Sequence, residues 1–179
     1  EGPGEEGGLQ TCGCAADRST RAELAPCPWV PALAKMPCAV VQFIKGAWDT
    51  GERRLIEANF SDLCQFHAMG EGFTWETQDR SRDIAAAEKG WAKAKELILD
   101  PEIRFVLLDE INIALRYDYL DINEVVRFLR EEKPPMTHVC LTGRNAKEEL
   151  IEIADLVTEM TLVKHPFRSG IKAQVGVEF

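Results

Sequence analysis

Two carboxylates, Asp109 and Glu110, follow directly on the apolar run Phe105-Val106-Leu107-Leu108. Acidic groups carried out of a core at a strand end form a hard oxygen donor set, suited to Mg2+ or its water ligands beside a phosphate site. Charges that merely solvate the rim of a sheet would be spelled the same way. A second apolar run, His138-Val139-Cys140-Leu141, leads into Thr142-Gly143-Arg144. Glycine there permits a tight turn and close backbone approach, and arginine presents a planar fork of donors to phosphate oxygens. Acidic and basic groups falling on one sheet edge favour a combined metal and phosphate site over either feature alone. Lys45, Arg53 and Arg54 follow a further apolar run and could face an anion or simply solvate a rim. Between Gly70 and Gln78, Phe73 and Trp75 stand among glycines and polar residues. Such aromatics either anchor a loop in the core or wedge against a large flat cofactor.

These groups need a scaffold, and the hydrophobic pattern supplies one from residue 38 onward. Short runs rich in β-branched residues predict strands over 38–44, 64–69, 105–108, 138–142 and 156–163, with 173–179 strand-like. Ile84, Ala87, Trp91, Ala94 and Ile98 advance by 3, 4, 3 and 4, which places them on one face of a helix that stops by Pro101. Asp121 and Glu124 have capping spacing ahead of the stripe Ile122, Val125, Val126 and Leu129, and Pro134-Pro135 ends that helix. Asn145 with Glu148 predicts another helix over 145–154. Strands alternating with helices imply parallel pairing through right-handed crossovers. The fold class is therefore α/β: an open, mostly parallel sheet with helices on both faces. Ligands bind beyond the carboxyl ends of strands in such sheets, here after Ile44, Met69, Leu108 and Leu141.

Composition narrows the partners. The 179 residues carry 21 basic and 30 acidic side chains, a formal charge of −9, so the chain lacks the basic field that draws nucleic acid or anionic lipid. No apolar run approaches the roughly 20 residues that span a bilayer. Residues 1–37 hold five of the nine prolines, five of the thirteen glycines and three of the six cysteines. Residues 1–35 read as an irregular leader, and the abrupt change in composition is that of a leader out of frame with the body it precedes. Cys38, Cys64 and Cys140 fall in apolar runs, where free thiols commonly sit, which points to a reduced, cytoplasmic protein. Cys12, Cys14 and Cys27 lack the paired spacing of a zinc site. His67, His138 and His165 are too dispersed for a ligand cluster. No Gly-x-Ser-x-Gly elbow and no His-Glu-x-x-His signature offers a hydrolase reading.

Taken in order, several stretches form a specific combination. They are Val40-Val41-Gln42-Phe43-Ile44-Lys45-Gly46, Gly51-Glu52-Arg53, Gly72-Phe73-Thr74-Trp75-Glu76-Thr77-Gln78, Val106-Leu107-Leu108-Asp109-Glu110, Tyr117-Asp118-Tyr119-Leu120, Thr142-Gly143-Arg144, Val163-Lys164-His165-Pro166-Phe167 and Lys172-Ala173-Gln174. Over residues 36–179 the sequence resembles the P-loop type of ATP:corrinoid adenosyltransferase, also called cob(I)alamin or cob(I)yrinic acid a,c-diamide adenosyltransferase. The resemblance implies transfer of the 5′-deoxyadenosyl group of ATP to the reduced cobalt of a corrinoid, either cobalamin or cobyrinic acid a,c-diamide. It also implies Mg2+, an electron donor for cobalt reduction and a homodimer. Phe73 and Trp75 would pack at the lower face of the corrin and displace its axial ligand. Asp109 and Glu110 match the Walker B carboxylates, with Glu110 on the metal side, and Thr142, Arg144 and Lys45 would face the nucleotide. The family's Gly- and Lys-rich Walker A loop is expected before residue 36. This sequence has no Gly-Lys-[Ser/Thr] there and no lysine before Lys35. The P-loop and the strand that feeds it thus read as missing or disrupted. A catalytically impaired remnant that binds corrinoid or dimerises is the alternative reading.

Overall fold

The computed structural model describes residues 9–15, 35–44, 51–70, 80–161 and 170. Its strands are β1 (Leu9–Ala15), β2 (Cys38–Gln42), β3 (Cys64–Ala68), β4 (Phe105–Asp109), β5 (His138–Gly143) and β6 (Leu156–Thr161). Its helices are α1 (Gly51–Asn59), α2 (Arg80–Leu99), α3 (Ile111–Arg116), α4 (Ile122–Glu131) and α5 (Glu148–Ile151). The strands form one sheet in the order β3-β2-β4-β5-β1-β6, and every pairing in it is parallel.

The expected α/β class is therefore present, and strand periodicity explains its two layers. Alternate residues point to opposite faces. Ala39, Val41, Val106, Leu108, Val139 and Leu141 join the larger core with Trp91, Ala94, Ile111, Val125 and Phe128, which come from α2, α3 and α4. Cys38, Val40, Phe105, Leu107 and Cys140 belong to a second cluster with Cys64 of β3 and Ile56 of α1. The near-continuous apolar run of β4 follows from this double burial. Trp91 meets Phe128 edge to face at 5.3 Å, and burying each such ring stabilises the fold by about 1.5–3 kcal/mol. Gly90 lets α2 come close to the end of β2, because a Cβ there would lie 3.1 Å from the Phe43 ring.

Several expectations need correction. The leader is not irregular throughout: Leu9–Ala15 is a strand inserted between β5 and β6, with Gly13 opposite Gly143. A strand is thus present in the leader, ahead of residues whose fold is not described. Its sequence, Leu-Gln-Thr-Cys-Gly-Cys-Ala, has no clean period of two, and backbone pairing on both sides does not require one. Residues 1–8 and 16–34 lie outside the described residues. Helix α5 covers only Glu148–Ile151, and Asn145 takes a left-handed φ of 55° in a turn instead of capping it. Asp121 does cap α4, its carboxylate accepting from the Asn123 N–H at 2.9 Å. Glu124 does not complete that box, since it accepts from Trp91 Nε1 at 3.0 Å and Lys95 Nζ at 2.7 Å. Helices α1 and α3 had no visible signal. Among its described side chains the first buries Ile56 alone, and the second is six residues long with Ile111, Asn112, Ala114 and Leu115 all buried, so neither shows an amphipathic stripe. Cys38, Cys64 and Cys140 are buried and in thiol form, as expected. The hydrogen bond to Cys38, and then burial, push the Cys64 thiol up.

Candidate active site at the ends of β4 and β5

Parallel register brings three strand ends to one edge. Gln42 of β2 pairs with Asp109 of β4, and Leu108 with Leu141 sets Thr142 of β5 beside that carboxylate. Gln42 is buried, and its Nε2 donates to Asp109 Oδ2 at 2.8 Å. The Thr142 hydroxyl donates to Asp109 Oδ1 at 3.0 Å and accepts from the Glu110 N–H at 3.1 Å. The Phe43 N–H donates to the Asp109 carbonyl at 3.0 Å. Both oxygens of Asp109 are thereby oriented by neutral donors, which leaves its charge uncancelled.

Glu110 turns the chain out of the strand. It holds a left-handed φ of 64° and stands immediately before α3, with its backbone N–H fixed on Thr142. A non-glycine residue in that region is strained and persists because its surroundings determine it. Gly143 has a φ of 127°, and a Cβ added to it would lie 3.0 Å from the Cβ of Asn112 and 3.4 Å from the Cα of Glu110. The glycine therefore lets the β5 turn close onto the start of α3. Arg144 follows, half-buried, and its guanidinium makes no hydrogen bond or ion pair among the described residues.

The rim thus unites Asp109, Glu110, Thr142 and Arg144, four residues singled out by spacing. The carboxylate oxygens of Asp109 and Glu110 are hard donors of the kind Mg2+ takes, and Arg144 follows the end of the neighbouring strand β5. Phe73, Trp75 and Lys45 lie outside the described residues, but the flanks of the aromatic segment are described. On one side the Met69 N–H donates to the Gln42 carbonyl at 2.9 Å. On the other, Arg80 donates to the Tyr117 and Asp118 carbonyls at 3.0 and 3.3 Å and lies over the Tyr119 ring at 5.3 Å. The Tyr119 hydroxyl in turn donates to Asp83 at 3.3 Å, and Lys147 pairs with Asp118 at 2.7 Å. Arg53 pairs with Glu57 at 2.7 Å on α1, which accounts for it structurally.

Sequence reasoning missed two residues of this edge, Gln42 and Asn112. Each is a lone amide in an apolar run, Cys38-Ala39-Val40-Val41-Gln42-Phe43-Ile44 and Ile111-Asn112-Ile113-Ala114-Leu115. That interruption was the available signal. Burial of a polar group demands a partner or a role.

With the geometry in place, comparison with known proteins is direct. The profile of the family described as ATP:corrinoid adenosyltransferase BtuR/CobO/CobP matches residues 31–179. The chain belongs to the ATP:corrinoid adenosyltransferase family. It is 78% identical over 144 residues to the corrinoid adenosyltransferase of a Sinorhizobium species, covering 80% of this chain and 67% of that protein. The Pseudomonas aeruginosa enzyme of the same name is 54% identical over 144 residues, covering 80% of this chain and 70% of that one. The Escherichia coli corrinoid adenosyltransferase is 44% identical over 140 residues, with coverage of 78% and 69%. As an adenosyltransferase the chain is a transferase, and ATP and a corrinoid are the substrates that fit it. Among the described residues no helix is long and apolar enough to cross a membrane.

Proposed function

We propose that this chain moves the 5′-deoxyadenosyl group of ATP onto the reduced cobalt of a corrinoid and uses the β4–β5 rim to hold the triphosphate end. The observation that carries this reading is the Asp109 carboxylate aligned by Gln42 and Thr142 beside Glu110, in a chain of the adenosyltransferase family. In the reaction a cobalt–carbon bond forms at the ribose C5′, the C5′–oxygen bond breaks, and triphosphate leaves with the bonding pair. Reduced cobalt is itself the nucleophile, so no activated serine or cysteine is needed. What the protein must supply is alignment and stabilisation of the leaving group.

The roles follow from chemistry. Glu110 and Asp109 would hold Mg2+, which neutralises charge on the triphosphate when bound. Arg144 would donate to phosphate oxygens, and Lys45 would add a second cation. Thr142, already donating to the Asp109 carboxylate and accepting from the Glu110 backbone N–H, would hold that carboxylate and the Glu110 backbone in place. Phe73 and Trp75 would pack against the lower corrin face, displace the axial ligand and ease reduction of cobalt. Met69 and Arg80, fixed at either side of their segment, support such a platform. Residues 36–179, joined in the sheet by the strand Leu9–Ala15, would form the adenosyltransferase domain. A cytoplasmic homodimer served by an electron donor completes the reading, with cobalamin or cobyrinic acid a,c-diamide as acceptor.

The test is ATP-dependent adenosylation of chemically reduced cobalamin by the full chain, followed by its absorbance change. Formation of adenosylcobalamin is the expected result. Corrinoid binding without turnover would overturn it in favour of a noncatalytic remnant.

A further inference from the structure

We propose that Asn112 is a contact residue for the magnesium triphosphate end of ATP, an inference that rests on the function just described. Its side chain is 1% exposed, yet neither Oδ1 nor Nδ2 has a hydrogen-bond partner among the described residues. The amide across the rim behaves differently, since Gln42 gives its Nε2 hydrogen to Asp109. A buried carboxamide that has surrendered its water without replacement destabilises the folded chain, so such a group calls for an explanation.

Position supplies one. Asn112 stands two residues past Glu110 in the first turn of α3, and the 3.0 Å approach available to a Gly143 Cβ shows that it is wedged against the β5 turn. It therefore occupies the junction of the two strand ends that carry the carboxylates and Arg144. The chemistry narrows the occupant. A carboxamide offers one acceptor oxygen and two N–H donors. A bare cation would answer only the oxygen, a lone anion only the N–H groups, and an apolar corrin face neither. Hydrated magnesium triphosphate answers both, since its metal-bound waters donate and its anionic oxygens accept.

The proposal separates stability from binding, because the group that lowers one raises the other. Asn112→Leu keeps the approximate volume and removes both unpaired polar atoms. In the full chain this variant should raise the melting temperature of the ligand-free protein by about 2–8 °C. The same variant should bind magnesium triphosphate about 10- to 100-fold more weakly than the parent, as measured by titration calorimetry, with adenosine binding unchanged. A lower melting temperature would assign the amide a structural partner such as an ordered water and overturn the proposal. Equal triphosphate affinity in parent and variant would overturn it as well, and leave the adenosyltransferase reading standing. A loss confined to adenosine would move the contact to the nucleoside and also overturn it. A parent that binds neither triphosphate nor ATP would overturn the adenosyltransferase reading and this inference together. Should the leucine variant fail to fold, Asn112→Asp keeps the shape and loses the donors. It too should weaken triphosphate binding, and unchanged affinity would count against the contact.

Discussion

Two clusters of polar groups share the same sheet and solve opposite problems. Between α2 and α4, Glu124 accepts from Trp91 and from the Lys95 ammonium, which also lies 5.7 Å from the Trp91 ring centre. Burial works against the Glu124 charge, but those two donors outweigh it and hold the carboxyl below its usual range. That cluster closes on itself. At the β4–β5 rim, Asp109 is held by neutral donors only and forms no ion pair among the described residues, and the Asn112 side chain has no hydrogen-bond partner among them either. The contrast separates a clasp, which cancels its own charge to fasten helices, from the proposed site, which would keep charge and unmet hydrogen bonds for a ligand. An ion pair within the rim would cancel the charge that a bound cation needs.

The largest effect that would sharpen this contrast is on chemistry. If Glu110 holds the cation as proposed, Glu110→Gln should slow adenosylcorrinoid formation by about 10²-fold or more with the far-UV spectrum unchanged, because a neutral amide would not hold it. An unchanged rate would remove Glu110 from the site. Next comes Gly143→Ala, which places a Cβ 3.0 Å from that of Asn112 at a φ of 127°. Denaturant unfolding should show a loss of about 1–3 kcal/mol. Thr142→Val removes the donor to Asp109 and the acceptor for Glu110, and should cost a similar ~1–3 kcal/mol together with much of the activity.

The clasp should respond in stability alone. Glu124→Gln is expected to cost only about 0.5–1 kcal/mol, because the Glu124 side chain is 36% exposed and water screens the pair. Its adenosylation rate should match the parent. Loss of turnover on this substitution would erase the distinction between the two clusters. The smallest effect is on pH dependence. A carboxyl whose folded pKa lies below its unfolded value of 4.5 contributes fully above pH 4.5, and that contribution disappears as pH falls through the lower folded value. Unfolding curves of Glu124→Gln should therefore be flatter than the parent's in that acid window.

How much of this was legible in the sequence depended on how each element is stabilised. Strand β4 and helices α2 and α4 announce themselves, because continuous burial or a one-sided stripe writes a pattern into the residues. Strand β1 does not, since Leu9–Ala15 is defined by backbone pairing to β5 and β6. Helix α3 is buried along most of its short length and has no period to detect. The site followed the same logic. Asp109, Glu110, Thr142 and Arg144 stand at ends of readable strands, so spacing alone gathered them. Gln42 and Asn112 are marked in the sequence only as amides interrupting apolar runs, and whether each finds a partner is decided by packing that spacing does not encode.

The most direct measurement is paramagnetic. With Mn2+ in place of magnesium and ATP present, the parent should give the resonance of a protein-bound ternary complex. Glu110→Gln should weaken that complex strongly, whereas Glu124→Gln should leave it intact. An equal loss in both variants, or an undiminished complex in Glu110→Gln, would contradict the assignment of the β4–β5 rim as the place where metal and triphosphate are held.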